Sequence, residues 1–206
     1  MSIVNKMKSL SARATMSDDD VRALLAKDHD EAKALAKEMH EAKSATRRMA
    51  LLGKLKPALT AHSRAEEKVV YDALLRVRTS DPSHEIADEG YVEHSLVDEL
   101  LTTLASTDAS TERWRASAKV LFELLEHHIQ EEESDTFALL GDHFTREKLE
   151  EMGAQFKRSE LQILEKLIAK PKRKVAPAKR RPTAKPARRA ATVKRTSSVA
   201  RKSASK

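Results

Sequence analysis

Cysteine is absent from the 206-residue sequence, and this absence narrows the chemistry open to the chain. Without thiols, disulfides, iron–sulfur clusters, thiolate zinc sites and cysteine nucleophiles are all excluded. Any metal must therefore be held by histidine, aspartate or glutamate. Eight histidines and 32 acidic residues are available for that role.

Glycine and aromatic residues are also scarce, and long apolar runs are missing. The chain has four glycines, and aromatic residues make up 3% of it, while 40% is hydrophobic. Because strands favour β-branched and aromatic side chains, this composition favours helices. No segment is apolar enough over sufficient length to span a membrane, and the N-terminus lacks the apolar run of a secretory signal. We therefore expect a cytoplasmic protein.

Charge is distributed unevenly along the chain. Residues 170–206 contain 15 lysines and arginines, four prolines and no acidic residue, which leaves 24 basic and 32 acidic residues in residues 1–169. An acidic body is thus joined to a strongly basic tail. Dense like charge and proline oppose a packed core. We predict a flexible segment over residues 1–16, a helical bundle over residues 17–169 and a disordered tail over residues 170–206.

Apolar residues recur at helical spacing through the acidic body. The predicted N-caps are Ser17 for the first helix, Asp81 for the third, with Pro82 at its first helical position, and Thr145 for the fifth. Short loops between long amphipathic helices predict an all-α, up-down antiparallel four-helix bundle with a short fifth helix. The helices are predicted at about residues 18–45, 47–77, 82–105, 110–140 and 146–169.

A histidine lies near the middle of the apolar stripe in each of the first four helices. Two of them have a glutamate at i+4, and residues i and i+4 lie about 40° apart on one helix face. Composition alone predicts about 0.8 His-x-x-x-Glu matches and four occur, so one pair is weak evidence. Imidazole with carboxylate suits iron, and less specifically zinc or manganese. The histidines and glutamates are His29, His62 with Glu66, His94, and His128 with Glu132.

Helical phase strengthens the case for a metal site. His128 and Glu132 share a face with Leu121 and Leu125, whereas His127 lies about 100° away, so we choose His128 for the interior. A single histidine on an apolar face is more often an ordinary core residue. Four imidazoles and two carboxylates facing one core, however, would be unfavourable without a metal to compensate them. The residues that we expect at the surface are His40, His84, His127, His143, Glu131 and Glu133.

The order and spacing of these residues resemble the hemerythrin-like, or HHE cation-binding, domain. That family shows one histidine, then His-x-x-x-Glu, then one histidine, then His-x-x-x-Glu across four antiparallel helices. The segments KDHDEAK, AHSRAEEKVVYDAL, EHSLVDEL and LLEHHIQEEESDTF carry the resemblance, which covers roughly residues 18–165. It implies two non-haem iron ions, oxo- or hydroxo-bridged, with the glutamates bridging the metals. The implied ligands are His29, His62, Glu66, His94, His128 and Glu132.

One position departs from the pattern of the oxygen-carrying hemerythrins. They have a second histidine one turn after the histidine of the third helix, and Asp98 stands there in this chain. Either Asp98 fills that coordination position or the position is open or water-filled. An open position favours oxygen, peroxide or nitric oxide as ligand. Tyr71, five residues after Glu66, is expected at the edge of the site as a packing residue.

The basic tail resembles, in composition only, the Lys/Ala/Pro-rich tails of linker-histone-like proteins. Its charge can neutralise phosphates and release counterions, which gives sequence-independent and salt-sensitive binding. It has no aromatic residue to stack on bases. We therefore expect DNA or RNA as the partner of residues 170–206, with the nucleoid as a place of action. Acidic lipid headgroups, the acidic bundle itself and a solubilising role are the alternatives.

Three functions are compatible with these features. The first is a non-haem di-iron protein that binds or reacts with oxygen, peroxide or nitric oxide, for sensing, scavenging or storage, tethered to nucleic acid by its tail. The second is a nucleoid-associated DNA-binding protein whose bundle is mainly structural. The third is an enzyme that decomposes peroxide, although the sequence offers no obvious dedicated acid–base residue for one.

Overall fold

The computed structural model describes residues 16–78 and 82–169, and the regular secondary structure in these ranges is helical, with no strand. The predictions for residues 1–15, for Asp81 and for the tail lie outside them. None of the described helices has the length and apolarity needed to cross a membrane. The helices are α1 (Val21–Glu41), α2 (Ala45–Glu66), α3 (Ser83–Ser106), α4 (Glu112–Glu131) and α5 (Arg146–Ile168).

Two of the helices, α2 and α4, are continued beyond their regular α-helical part by a π-helical turn. A π-helical turn, Glu67–Tyr71, follows α2 and is followed by a last α-helical turn, Asp72–Leu74. In the same way, the π-helical turn Glu132–Thr136 and the segment Phe137–His143 continue α4. Wide turns of this kind are rare and often lie at functional sites. Each begins at, or directly after, a glutamate that the sequence places among the metal ligands.

Local capping explains where the helices begin. Thr145 caps α5 as predicted, because its side chain accepts a hydrogen bond from the backbone N–H of Lys148. The prediction of Ser17 as the cap of α1 is wrong. The side chain of Asp20 is the cap, and it accepts a hydrogen bond from the backbone N–H of Arg22. The hydroxyl of Ser17 donates to Glu150 of α5 at 2.8 Å. The first helix therefore begins three residues later than the run of aspartates suggests.

The predicted class, an all-α bundle, is confirmed, with one difference in the fifth helix. That helix has 23 residues against 21 in α1, so it is not short. It packs against α1 and α2. The ring of Phe156 in α5 lies edge-on to the imidazole of His62, with 5.7 Å between the ring centroids. The fifth helix therefore covers one side of the bundle at the level of the predicted site.

Two separate apolar clusters fill the bundle, and their order along the chain shows the antiparallel arrangement. Along α1 and α3, residues of the first cluster, which contains Val21, come before residues of the second, which contains Trp114. Along α2 and α4 with their continuations, the order is reversed. On each helix the predicted site residues lie between the two. The first cluster includes Val21, Val69, Leu74, Ala87, Phe137 and Phe156. The second includes Met39, Leu51, Leu55, Leu101, Trp114 and Leu121.

Candidate metal centre

All six residues proposed from the sequence as metal ligands converge in a layer between the two apolar clusters. None is more than 6% exposed, and Glu66 is fully buried. One histidine comes from each of α1 to α4. One glutamate ends α2, and the other begins the π-helical turn after α4. The residues are His29, His62, Glu66, His94, His128 and Glu132.

Each glutamate lies between two imidazoles from neighbouring helices. Oε2 of Glu66 is 3.4 Å from Nε2 of His62 and 3.5 Å from Nε2 of His94. Oε2 of Glu132 is 3.1 Å from Nε2 of His29 and 3.6 Å from Nε2 of His128. The layer therefore consists of two similar halves, each with one carboxylate and two imidazoles.

The two halves touch through their imidazoles. Nε2 of His94 lies 3.3 Å from Nε2 of His128. Glu66, His94 and His128 each offer a ligand atom within 4.8 Å of the other two, which is a spacing that one metal ion could serve. All four Nε2 atoms therefore point to a common centre.

Several ligand-type atoms in this centre are buried without a hydrogen-bond partner. They are both carboxylate oxygens of Glu66, both of Glu132, and Nε2 of His29. Leaving such atoms unpartnered away from water is unfavourable by about 1–3 kcal/mol for each group, and by more for charged groups. Nitrogen and oxygen donors in this number fit divalent iron, zinc or manganese. The donor set therefore fits a metal centre.

Burial changes the protonation of the site. Burial, followed by the charge of Glu132, raises the pKa of Glu66 well above its usual value. Burial also opposes ionisation of Glu132, but the neighbouring charge of His29 lowers the pKa of Glu132 below its usual range. Burial lowers the pKa of His94 to about 4, so this imidazole is neutral at pH 7, the form that binds metal.

The opposite nitrogen of each histidine faces a carboxylate. These contacts fix the ring orientation and leave Nε2 for the centre, as is usual for metal-binding histidines. None of these four carboxylates was predicted from the sequence, and Glu133 was wrongly expected to be solvated; its side chain is only 10% exposed. The Nδ1 contacts are His29 with Glu133 (3.2 Å), His62 with Asp28 (3.5 Å), His94 with Glu67 (3.2 Å) and His128 with Glu93 (2.6 Å).

These outer carboxylates follow a regular order around the bundle. Each is the chain neighbour of one inner residue and supports the histidine of the adjacent helix. Asp28 precedes His29, for example, but contacts His62 of α2. The sequence signal is a set of four dipeptides at the site, Asp28-His29, Glu66-Glu67, Glu93-His94 and Glu132-Glu133.

Two residues that were considered as further ligands, Asp98 and His127, lie outside the site. Asp98 forms an ion pair with Arg64, and its side chain is 34% exposed, so it does not take the place of a second histidine on α3. The side chain of His127 is 59% exposed and lies 3.3 Å from Glu131 of the next turn. Glu131 is partly exposed, at 45%, in agreement with the sequence-based expectation.

The remaining histidines were expected at the surface, but in the structure one is exposed and two are half-buried. His84 is exposed and contacts the carbonyl oxygen of Val77. His40 is half-buried and stacks on Phe122. His143 is half-buried too, and its Nε2 lies 3.3 Å from the hydroxyl of the fully buried Ser83. None of the three reaches the centre.

A cavity of about 90 Å³ lies beside the centre, next to Tyr71. The ring of Tyr71 is 1% exposed, as befits a packing residue, and its centroid is 5.4 Å from that of His94. Burial, followed by the charges of Glu66 and Glu132, raises the pKa of Tyr71 well above its usual value, so its phenol is neutral. His128 and Glu132 also line this cavity, which therefore adjoins the proposed ligands.

Gly90 of α3 makes room for Tyr71, and this gives a testable prediction. A β-carbon at position 90 would lie 2.5 Å from Cζ of Tyr71, closer than two such atoms can approach unless the ring moves. Gly90→Ala should therefore lower the free energy of unfolding by about 1–3 kcal/mol, as overpacking does. Denaturant unfolding of the metal-free chain measures this change.

Gly53 of α2 provides the matched control. An added β-carbon there meets nothing within 4 Å. Gly53→Ala should raise the free energy of unfolding by about 0.5–1 kcal/mol, because alanine is the better helix former. Equal stabilisation by both substitutions would show that Tyr71 is not held against Gly90.

Comparison with known proteins places the chain in a family. Residues 20–140 match the family model described as the hemerythrin HHE cation binding domain. The chain is 31% identical over 102 residues to an uncharacterised hemerythrin-like protein of Schizosaccharomyces pombe, covering 50% of each chain. It is 23% identical over 146 residues to a protein of Nostoc sp. named DNA nickase, covering 71% of this chain and 40% of that one.

The chain thus spans half or less of the length of these curated relatives. No solved structure matches it. The family match extends from the N-cap of α1 to the segment that continues α4, and it includes every residue of the buried His/Glu layer. The chain belongs to the hemerythrin family of HHE cation-binding domains, a family of helical, iron-binding domains.

Proposed function

We propose that the bundle holds two non-haem iron ions and binds or reacts with oxygen, peroxide or nitric oxide. The observation that carries this proposal is the set of buried, unpartnered carboxylate and imidazole atoms at the centre. The ligands would be His29, His62, Glu66, His94, His128 and Glu132. Iron bound there supplies a redox-active ion with coordination positions open to small ligands.

The division of the layer into two halves supports a stoichiometry of two. Glu66 contacts the imidazoles of α2 and α3, and Glu132 contacts those of α4 and α1. Two carboxylates can each contribute one oxygen to either ion. A single ion would leave one half of the layer with its buried polar atoms unsatisfied.

The surroundings of the centre suit a small ligand. Asp98 is turned towards Arg64, so no side chain of the described residues supplies a further ligand from that position of α3. The cavity beside Tyr71 and Gly90 has room for a molecule of two or three atoms. The phenol of Tyr71 faces this region as a neutral hydrogen-bond donor. These features favour a small ligand over an organic substrate.

Iron binding by the ligand set is tested by a double variant, His62→Ala with His128→Ala. The wild-type chain, reconstituted anaerobically with ferrous iron, is expected to retain about two irons and to develop near-UV charge-transfer absorption in air. The double variant should lose both, because it removes one imidazole from each half of the centre. Elemental analysis and absorption spectroscopy measure the two quantities.

His84→Ala serves as the control, since His84 is exposed and lies near the start of α3, ten residues before His94. It should keep both the iron and the absorption. Circular dichroism checks that the double variant remains helical. If a helical double variant kept its iron and its absorption, the ligand assignment would be wrong.

We propose further that residues 170–206 attach this bundle to nucleic acid. Fifteen basic residues without acidic ones provide the charge for phosphate contacts. The Nostoc relative named DNA nickase supports a link between such a bundle and DNA. We therefore propose that the chain is divided into a bundle over residues 17–169 and a nucleic-acid-binding segment over residues 170–206. The alternative, a DNA-binding protein with a mainly structural bundle, shares the tail but needs no iron.

Deletion of residues 170–206 tests the role of the tail. In a gel-shift assay, the affinity of the full chain for duplex DNA should fall by about 10³-fold or more between 50 and 200 mM salt. The gel shift should vanish when residues 170–206 are deleted. Iron content should be the same in both chains, because the ligands lie in the bundle. A gel shift that survives the deletion would show that the bundle, not the tail, binds DNA.

A further inference from the structure

A second group of metal-ligating side chains lies on the surface beside the buried centre. His127 and Glu131 occupy successive turns of α4, and Nε2 of His127 is 3.3 Å from Oε2 of Glu131. Across the helix interface, Oε1 of Glu93 in α3 is 4.0 Å from the same Nε2. Ligand atoms of the three residues lie within 4.8 Å of one another. We call this group the outer cluster.

The spacing of the outer cluster suits one divalent cation. With metal–ligand bonds of about 2.1 Å, ligand atoms around an octahedral ion are about 3 Å apart when adjacent and about 4 Å apart when opposite. The observed separations of 3.3 Å and 4.0 Å fall in this range. His127 and Glu131 are exposed by 59% and 45%, so water can complete the coordination and ions can exchange.

Glu93 connects the outer cluster to the buried centre. Its Oε1 faces His127, while its Oε2 lies 2.6 Å from Nδ1 of His128. Glu93 and Glu131 also line the cavity that reaches Glu132. Glu132 is 3% exposed, and neither of its oxygens has a hydrogen-bond partner. An unpartnered carboxylate therefore lies at the inner end of the same cavity.

The lining of the cavity is strongly acidic. Glu89 and Asp135 add two carboxylates to those already named, and no lysine or arginine is among the described lining residues. A cleft with charge of one sign focuses the field and concentrates ions of opposite charge. The acidic lining should thus attract a cation along the whole cavity, from the outer cluster to Glu132.

We propose that the outer cluster is a divalent-cation site through which ferrous ions enter the buried centre. Glu93, His127 and Glu131 bind the ion at the surface with water as the remaining ligands. The ion then exchanges its ligands for Glu132 and the imidazoles inside. The entry role rests on the proposed di-iron function, whereas binding at the outer cluster does not.

Cation binding is tested by titration with Mn²⁺, followed through the paramagnetic resonance signal of the free ion. The variant is His127→Ala with Glu131→Gln, which spares Glu93 because Glu93 contacts His128. The full-length wild-type chain should bind one more Mn²⁺ per chain than this variant does. The control, His84→Ala with Glu85→Gln, changes two exposed residues of the same types on α3 and should bind as the wild type does. Equal Mn²⁺ binding by the wild type and the variant would overturn the cation site.

The entry role is tested by the rate of loading with ferrous iron in aerated buffer, followed by the near-UV absorption in stopped flow. The variant should load about tenfold more slowly, because it lacks the outer cluster that attracts and binds ferrous ions. It should still reach the same final iron content. Loading at the wild-type rate would overturn the entry role. A wild-type chain that takes up no iron would instead overturn the proposed di-iron function, while the Mn²⁺ comparison would still decide the outer cluster.

Discussion

Replacing the buried Glu66 by glutamine is expected to weaken iron binding in its half of the centre and to make the metal-free chain more stable at pH 7, by about 1–3 kcal/mol. Burial raises the pKa of Glu66 well above its usual value, so the charged carboxylate is disfavoured in the folded chain, and neither of its oxygens has a hydrogen-bond partner. Glutamine has nearly the same shape and no charge, and its amide can donate to an imidazole Nε2. The substitution thus removes one ligand together with an unfavourably buried acidic group.

Denaturant unfolding with and without ferrous iron measures this effect. Iron at 1,000 times its dissociation constant should stabilise the wild-type chain by about 4 kcal/mol and should stabilise the Glu66→Gln variant by less. Glu123→Gln is the control, because Glu123 is an exposed residue of α4 that pairs with Lys119. It should change stability by less than about 0.5 kcal/mol. A metal-free Glu66→Gln variant less stable than wild type would contradict the idea that this buried carboxyl group is unfavourable without metal.

Removing one outer carboxylate should weaken the centre without dismantling it. Glu67→Ala takes the acceptor from Nδ1 of His94, so this imidazole loses its fixed orientation and part of its basicity. Loss of such a supporting carboxylate typically lowers metal affinity by about 10–100-fold. The chain should still bind the same number of irons. Competition with a chelator of known affinity measures the change.

Glu67→Gln separates the charge of this carboxylate from its geometry. The amide oxygen still accepts a hydrogen bond from Nδ1, so affinity should lie between those of wild type and Glu67→Ala. Glu99→Ala, an exposed change on the helix that carries His94, is the control and should have no effect. Wild-type affinity in Glu67→Ala would show that Glu67 does not support His94.

Helical phase was enough to identify the residues that face the interior. The choice of His128 over His127 needed only the 3.6-residue repeat and the neighbouring leucines, and the structure buries the first and exposes the second. That repeat places residues on a face but does not show which face meets which neighbour. The sequence therefore predicted the inner layer of side chains and not their partners.

The outer carboxylates were missed because they depend on contacts between helices. Glu67 and Glu133 follow the inner glutamates directly, so their directions depend on the π-helical turns there. A regular helix would turn each of them about 100° away from the preceding residue. Nothing in hydrophobic spacing predicts a wide turn of this kind. The bounds of α5 were predicted closely, at residues 146–169 against Arg146–Ile168, although the sequence analysis called the helix short. Its packing against α1 and α2 was not predicted.

The position of the site between two apolar clusters links stability to function. The clusters hold the four helices together on both sides of the layer, so the layer itself need not stabilise the fold. The bundle can therefore present buried polar atoms to a metal in advance of binding. Preorganised ligands of this kind reduce the rearrangement that binding requires.

Anomalous diffraction at the iron edge, from crystals of the iron-loaded chain, tests the central claim most directly. The account predicts two iron peaks per chain inside the bundle, each within bonding distance of Glu66 or Glu132 and of imidazole Nε2 atoms. A further, weaker peak at Glu93, His127 and Glu131 would be compatible with the entry site. A single peak inside the bundle, or peaks only outside the layer, would contradict a di-iron centre held by these six residues.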